Sequence, residues 1–139
     1  MYGPAQSYPQ AAQSYQQVGV QTASPARLVA MLFSAFDARL AQVQQAAAQA
    51  SSASPVADAA LQRALAILGE LEASLDLEQG GSLAANLLAL YRYMRERLRA
   101  SDRQAALAEV RRLVAPLNAA WAELADSAPA ASGMTAAVA

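Results

Sequence analysis

The chain has no histidine, no cysteine and no lysine, so all ten of its positive charges are arginines. Ser/His and Cys/His nucleophilic catalysis, thiolate or imidazole zinc sites, lysine Schiff bases and the phosphate-loop lysine all need groups that are missing. Carboxylate acid–base chemistry survives this exclusion, but the eleven acids are spread at helical spacings with no glycine-rich cradle to gather them. No cofactor and no metal is expected. Ten arginines against eleven acids leave a net charge of −1, too little positive charge for a nucleic-acid partner. Nor is there an apolar run of membrane-spanning length or a basic-then-apolar signal at the start. The expectation is therefore a cytoplasmic protein with no membrane insertion. Aromatic residues make up only 6%, which argues against a thick aromatic core.

What the sequence has in abundance is alanine, 38 of 139 residues. Alanine is the strongest helix former and lets helices approach closely, so the reading is an all-α domain. Residues 1–21 carry no charge, are rich in Gln, Ser and Tyr, and repeat Ala5-Gln6-Ser7-Tyr8 as Ala12-Gln13-Ser14-Tyr15. They are expected to form a flexible arm, and the patternless residues 127–139 a mobile tail. Between them, residues 22–126 read as four helices. Ser24-Pro25 and Ser54-Pro55 each pair an N-cap hydroxyl with proline at the first helical position, where its missing N–H costs nothing. The first helix should run to about Gln49 and the second to about Leu77, stopped by Gly80-Gly81. Ser82 should cap a third helix ending near Arg99, and Asp102 a fourth ending near Leu124. Pro116 should kink that last helix. Short connections between helices of this length mean an antiparallel up-down four-helix bundle.

Helical spacing then separates core from surplus. The fourth helix places Leu107, Val110, Leu113, Val114, Leu117, Trp121 and Leu124 on a narrow stripe of roughly 120°. The first helix is apolar over roughly 200°, through Leu28, Val29, Met31, Leu32, Phe33, Phe36, Leu40 and Val43. On the third, Leu83, Leu87, Leu90, Tyr91, Met94 and Leu98 fill the stripe, with Tyr93 and Leu88 at opposite flanks. In the second, Ile67 and Leu71 fall toward the edge. So much apolar arc predicts an exposed hydrophobic groove. Arg92, Arg95, Arg99 and Arg103, spaced three, four and four, read as a solvated basic face.

These residues, taken in order, resemble a known family. Thr22-Ala23-Ser24-Pro25, Leu28, Met31-Leu32-Phe33, Ile67 through Leu71, Ser74-Leu75-Asp76, Gly80-Gly81, Asn86-Leu87, Leu90 through Met94 and Trp121 are similar to the flagellin export chaperones of the FliS family. One departure is Leu32-Phe33-Ser34-Ala35, where the family usually has Leu-Tyr-Asp-Gly. The resemblance implies a non-enzymatic chaperone that binds the C-terminal segment of flagellin, prevents premature polymerisation and delivers it to the export gate of the flagellar type III apparatus. Candidate contacts are Leu28, Met31, Ile67, Leu71, Asn86, Leu90, Tyr93 and Arg97. Tyr15 joins them from the arm and, with Val18 and Val20, is expected to lie over the groove when no partner fills it. The competing reading is a structural module, a homodimer that covers the surplus apolar surface with its own copy.

Overall fold

The computed structural model describes residues 24–49 and 54–127, which form four helices: α1 (Pro25–Gln49), α2 (Pro55–Ala73), α3 (Gly81–Leu98) and α4 (Arg103–Asp126). Ser24 and Ser54 act as read from sequence. The Arg27 N–H donates to Ser24 Oγ at 3.1 Å and the Ala57 N–H to Ser54 Oγ at 3.2 Å, each hydroxyl satisfying one of the orphan donors of a first turn.

Cross-helix contacts fix the directions. Along α1 and α4, Arg27 meets Asp126, Ser34 meets Asn118 and Asp37 meets Arg111, so one numbering rises as the other falls. Asp58 and Arg103 pair at the start of α2 and of α4, so those two helices run the same way. Arg97 reaches Asp102 and Glu109, which turns α3 back against α4. The result is an up-down bundle in which α1 approaches α2 and α4 closely, whereas α3 stands further from its neighbours. Small residues make the close approaches possible: Ala26 and Ala30 on α1, and Ala57, Ala60 and Ala64 on α2, are all buried. The core they enclose centres on Phe33, Phe36, Leu40, Leu68, Tyr91, Met94, Val110, Val114 and Trp121. Phe33 on α1 and Tyr91 on α3 meet across it with ring centroids 6.2 Å apart. Phe33 is fully buried, so the hydroxyl it lacks leaves no donor to satisfy.

Three helix boundaries differ from the sequence reading. α2 stops at Ala73 rather than near Leu77, because Ser74 ends it: its buried hydroxyl donates to the Leu71 carbonyl at 2.7 Å. Asp76 then organises the connection, its carboxylate accepting the Gln79 N–H at 2.9 Å and its carbonyl the Gly80 N–H at 2.8 Å. Gly80-Gly81 therefore do not stop α2; they start α3. Gly80 holds the N-cap position in place of Ser82, and Gly81 has φ +53°, left-handed backbone that a side chain would strain. At α4, Asp102 occupies the N-cap but makes no capping bond, since Arg97 takes its carboxylate. α4 continues through Pro116 and runs two residues beyond Leu124, to Asp126.

The wide apolar arc of α1 also has an explanation inside the bundle. As the helix closest to two neighbours, α1 buries Leu28, Val29, Phe33, Phe36, Leu40 and Val43 in the core. Most of the arc that pointed to an exposed groove is spent internally; Met31, at 38% exposure, and half-buried Leu32 are what remain of it at the surface.

Candidate functional site

Close packing or ion pairs bridge each of the four seams. On the α1–α4 side, Arg111 grips Asp37 at 2.8 and 3.1 Å and Gln44 at 2.7 Å, while Arg27 holds Asp126 at 2.6 Å. The Asp37 carboxylate keeps the Arg111 guanidinium more firmly protonated than usual. On the α2–α3 side, Arg95 lies between both oxygens of Glu72 at 2.6–2.7 Å. Arg95 and Arg103 are thus ion-paired, to Glu72 and Asp58, and only Arg92 and Arg99 of the expected basic face stand exposed without a salt bridge among the described residues. The α1–α2 side is the closest contact, and beside it lies a cleft of about 500 Å³ lined by Gln42, Gln45, Gln49, Val56 and Arg63.

The α3–α4 seam is built differently. Leu83 and Leu90 from α3 and Leu113 and Leu117 from α4 are each half-buried, resting on the core without being covered by it. Helical spacing places them on the facing flanks of the two helices. Leu90 lies one turn before Tyr93 and two before Arg97, both of which reach α4, and Leu113 lies one turn beyond their acceptor, Glu109. A polar network bounds this apolar strip at one end. Glu109 accepts from the Tyr93 hydroxyl and, at 2.6 Å, from Arg97 Nε, and Arg97 also donates to both Asp102 oxygens at 3.1 and 3.2 Å. The hydrogen bond from Tyr93, and then that from Arg97, hold the Glu109 carboxyl below its usual range. Arg97 does the same to Asp102, and the bond to Glu109 raises the Tyr93 phenol. Tyr93 is nevertheless 45% exposed, a large aromatic at the rim of an apolar strip. Such a strip with a polar end can hold an amphipathic segment by burying its apolar side chains.

The candidate contacts divide accordingly. Asn86, Leu90, Tyr93 and Arg97 do share one flank of α3, on the α4 side. Ile67 does not join them. It follows Ala60 and Arg63 by seven and four residues, on the face of α2 that looks toward α1, and is half-buried. Met31 lies on the rim of a separate α1–α4 cleft with Arg27, Ser34 and Asp126. Leu28 and Leu71 are buried, Leu71 completely and within the core cluster, so neither side chain stands at the surface of the free chain. The close approach of α1 and α2 covers Leu71, which helical spacing on an isolated helix puts at an edge. Tyr15 lies outside the described residues, as do Val18 and Val20. Sequence reasoning missed Glu109, because its partners are on another helix and no spacing within α4 reveals them. It also assigned Leu113 and Leu117 to the core, although the distance of α3 leaves them half open. Among the described residues there is no acidic cluster that could hold a metal ion and no helix long and apolar enough to cross a membrane.

The family model described as flagellar protein FliS matches residues 8–128. The chain is 35% identical over 118 residues to the flagellar secretion chaperone FliSB of Pseudomonas aeruginosa, covering 80% of this chain and 92% of that one. It is 32% identical over 123 residues to the flagellar secretion chaperone FliS of Salmonella typhimurium, covering 83% and 90% respectively.

Proposed function

Because this chain belongs to the FliS family, we propose that it is a chaperone of flagellar export that acts in the cytoplasm, holds the C-terminal segment of flagellin and presents it to the export gate. The family is one of chaperones, not enzymes. One observation carries the finer reading: the half-buried leucines Leu83, Leu90, Leu113 and Leu117, flanked by exposed Tyr93 and Asn86. A flagellin C-terminal segment that forms helical contacts only once assembled is an unpaired amphipathic chain beforehand. Docking on this seam would remove its apolar side chains from water and from each other, and sequestration of that kind needs mass action alone. Ile67 and Met31 lie on other faces, so they contribute if the segment is long enough to continue around the bundle.

Calorimetric titration with a peptide of the last forty or so residues of the organism's own flagellin tests this reading. Tyr93→Asp should weaken binding at least about tenfold, ~1.4 kcal/mol. As an exposed position, it should change stability far less, and the melting temperature is read in parallel. Ile67→Asp should weaken binding only when the longer segment is used. Equal losses of stability and affinity for Tyr93→Asp would place that side chain among the supports of the fold and remove the seam from the binding surface.

A further inference from the structure

α3 is held unevenly along its length. Every side-chain tie it makes to another element, among the described residues, comes from Tyr93, Arg95 or Arg97: Tyr93 and Arg97 to Glu109, Arg95 to Glu72, and Arg97 also to Asp102. Packing follows the same gradient. Tyr91, Met94 and Leu98 sit deep in the core, whereas from Gly81 to Leu90 only Ala84 and Leu87 are buried. The first turn is looser still. Gly80 has no side chain to cap it, and a Cβ on Gly81 would meet nothing within 4 Å, so no neighbour packs against that point. Two adjacent glycines, one already at φ +53°, are also backbone that can change direction at little steric cost.

We propose that α3 is hinged: it pivots as a rod about the stretch Tyr93–Arg97, its first half swings away from the core, and Gly80-Gly81 absorb the change in backbone direction. The pivot lies where the ties are, since Glu109 on α4 and Glu72 on α2 grip α3 from both sides within five residues. A swing of about 10° carries Ser82, about 20 Å along the helix from Arg95, outward by roughly 3 Å. It widens the α3–α4 seam at the end where Leu83 and Leu117 stand and leaves the end at Glu109 closed. Leu87 is the one large buried side chain that the swing withdraws from the core, so the closed form is preferred and the open form stays within reach of local fluctuation. What enters the widened seam is the apolar side of the flagellin segment; that step rests on the chaperone reading, and the motion itself does not. Apparent affinity is then scaled by the fraction of chains that stand open.

Distances between pairs of nitroxide labels, measured by pulsed electron spin resonance on the full chain, decide the matter. The chain has no cysteine, so each introduced pair is labelled only where intended. Ala38→Cys, on the exposed side of α1, is the fixed reference; Ser82→Cys reports the start of α3 and Glu96→Cys its anchored end. Frozen solutions record open and closed populations whatever their rate of interchange. The 38–82 distribution should contain a second component longer by about 3 Å or more, which grows when the flagellin peptide is added, while the 38–96 distribution stays single and unmoved. Leu87→Ala should enlarge the longer component in the free chain and tighten peptide binding by no more than the same factor. A single 38–82 distribution that neither the peptide nor Leu87→Ala moves would overturn the hinge, as would equal shifts at both label positions. Weaker binding by Leu87→Ala despite a larger open fraction would overturn the coupling of the hinge to the partner. If the unaltered chain binds no peptide, the chaperone reading falls, and the label distances in the free chain still decide the hinge.

Discussion

Trp121 is the chain's only tryptophan, 1% exposed, and its indole N–H is the one buried side-chain polar atom without a partner among the described residues. The ring supplies much of the packing between α4 and the centre of the bundle, while the unpaired donor works against it by about 1–3 kcal/mol. Trp121→Ala should therefore cost ~3–5 kcal/mol as a large core truncation, whereas Trp121→Phe, which removes the orphan donor and only part of the ring, should cost much less. Urea unfolding of the two variants measures the difference; equal losses would mean the N–H has a partner after all. Glu109 gives a second residue-scale expectation. Its carboxyl is lowered in the folded state, chiefly by the Tyr93 hydroxyl and then by Arg97. The unfolded chain thus binds a proton at this site first as the pH falls. The stabilisation is fully present above about 4.5, the ordinary value, and drains away as the pH drops toward and through the native one. Melting temperatures of wild type and Glu109→Gln should differ at pH 7 and converge toward pH 3; a gap constant with pH would show that Glu109 contributes no such linkage.

At the scale of the helix, capping was legible wherever a side chain acts on its own neighbourhood. Ser24-Pro25 and Ser54-Pro55 start α1 and α2 where their chemistry says, since cap and target lie three residues apart. The end of α2 was not legible in the same way: Ser74 is a weak local signal beside Gly80-Gly81, and only its burial and its bond to Leu71 show which one acts. The same divide runs through the site. The shared flank of Asn86, Leu90, Tyr93 and Arg97 follows from spacing within one helix. The withdrawal of Leu71 into the core depends on how near α1 lies to α2, which no single helix records. Gly69 tests the element scale directly. It stands inside α2, and a Cβ placed on it would meet only the guanidinium of Arg95, at 3.7 Å, an ordinary contact with the movable end of a side chain. Gly69→Ala should accordingly raise stability by about 0.5–1 kcal/mol, the helical cost of glycine relieved. Thermal denaturation checks it, and destabilisation would mean that the Arg95–Glu72 pair does not tolerate the added methyl.

For the molecule as a whole, the sequence conveyed the fold class and the order of the helices because 3.6-residue periodicity, caps and short connections agree with one another. It conveyed less about which apolar surface stays open, because that is set by distances between helices and not by the width of any one stripe. The leucines of the α3–α4 seam stay half-buried because α3 stands off from its neighbours, not because α3 or α4 is unusually apolar. One feature of the architecture bears on how such a chain is made. Arg27 and Asp126, 99 positions apart, are joined at 2.6 Å, and α1 shares its flanks with α2 and with α4. During vectorial synthesis α1 and α2 can pair as soon as both have left the ribosome, but the flank of α1 that carries Arg27, Ser34 and Asp37 has no cover until the last helix emerges. The nascent chaperone therefore passes through a stage in which it presents the kind of naked helical surface that a chaperone exists to hide, and the small crossing residues that let α4 close on α1 quickly and tightly bring that stage to an end.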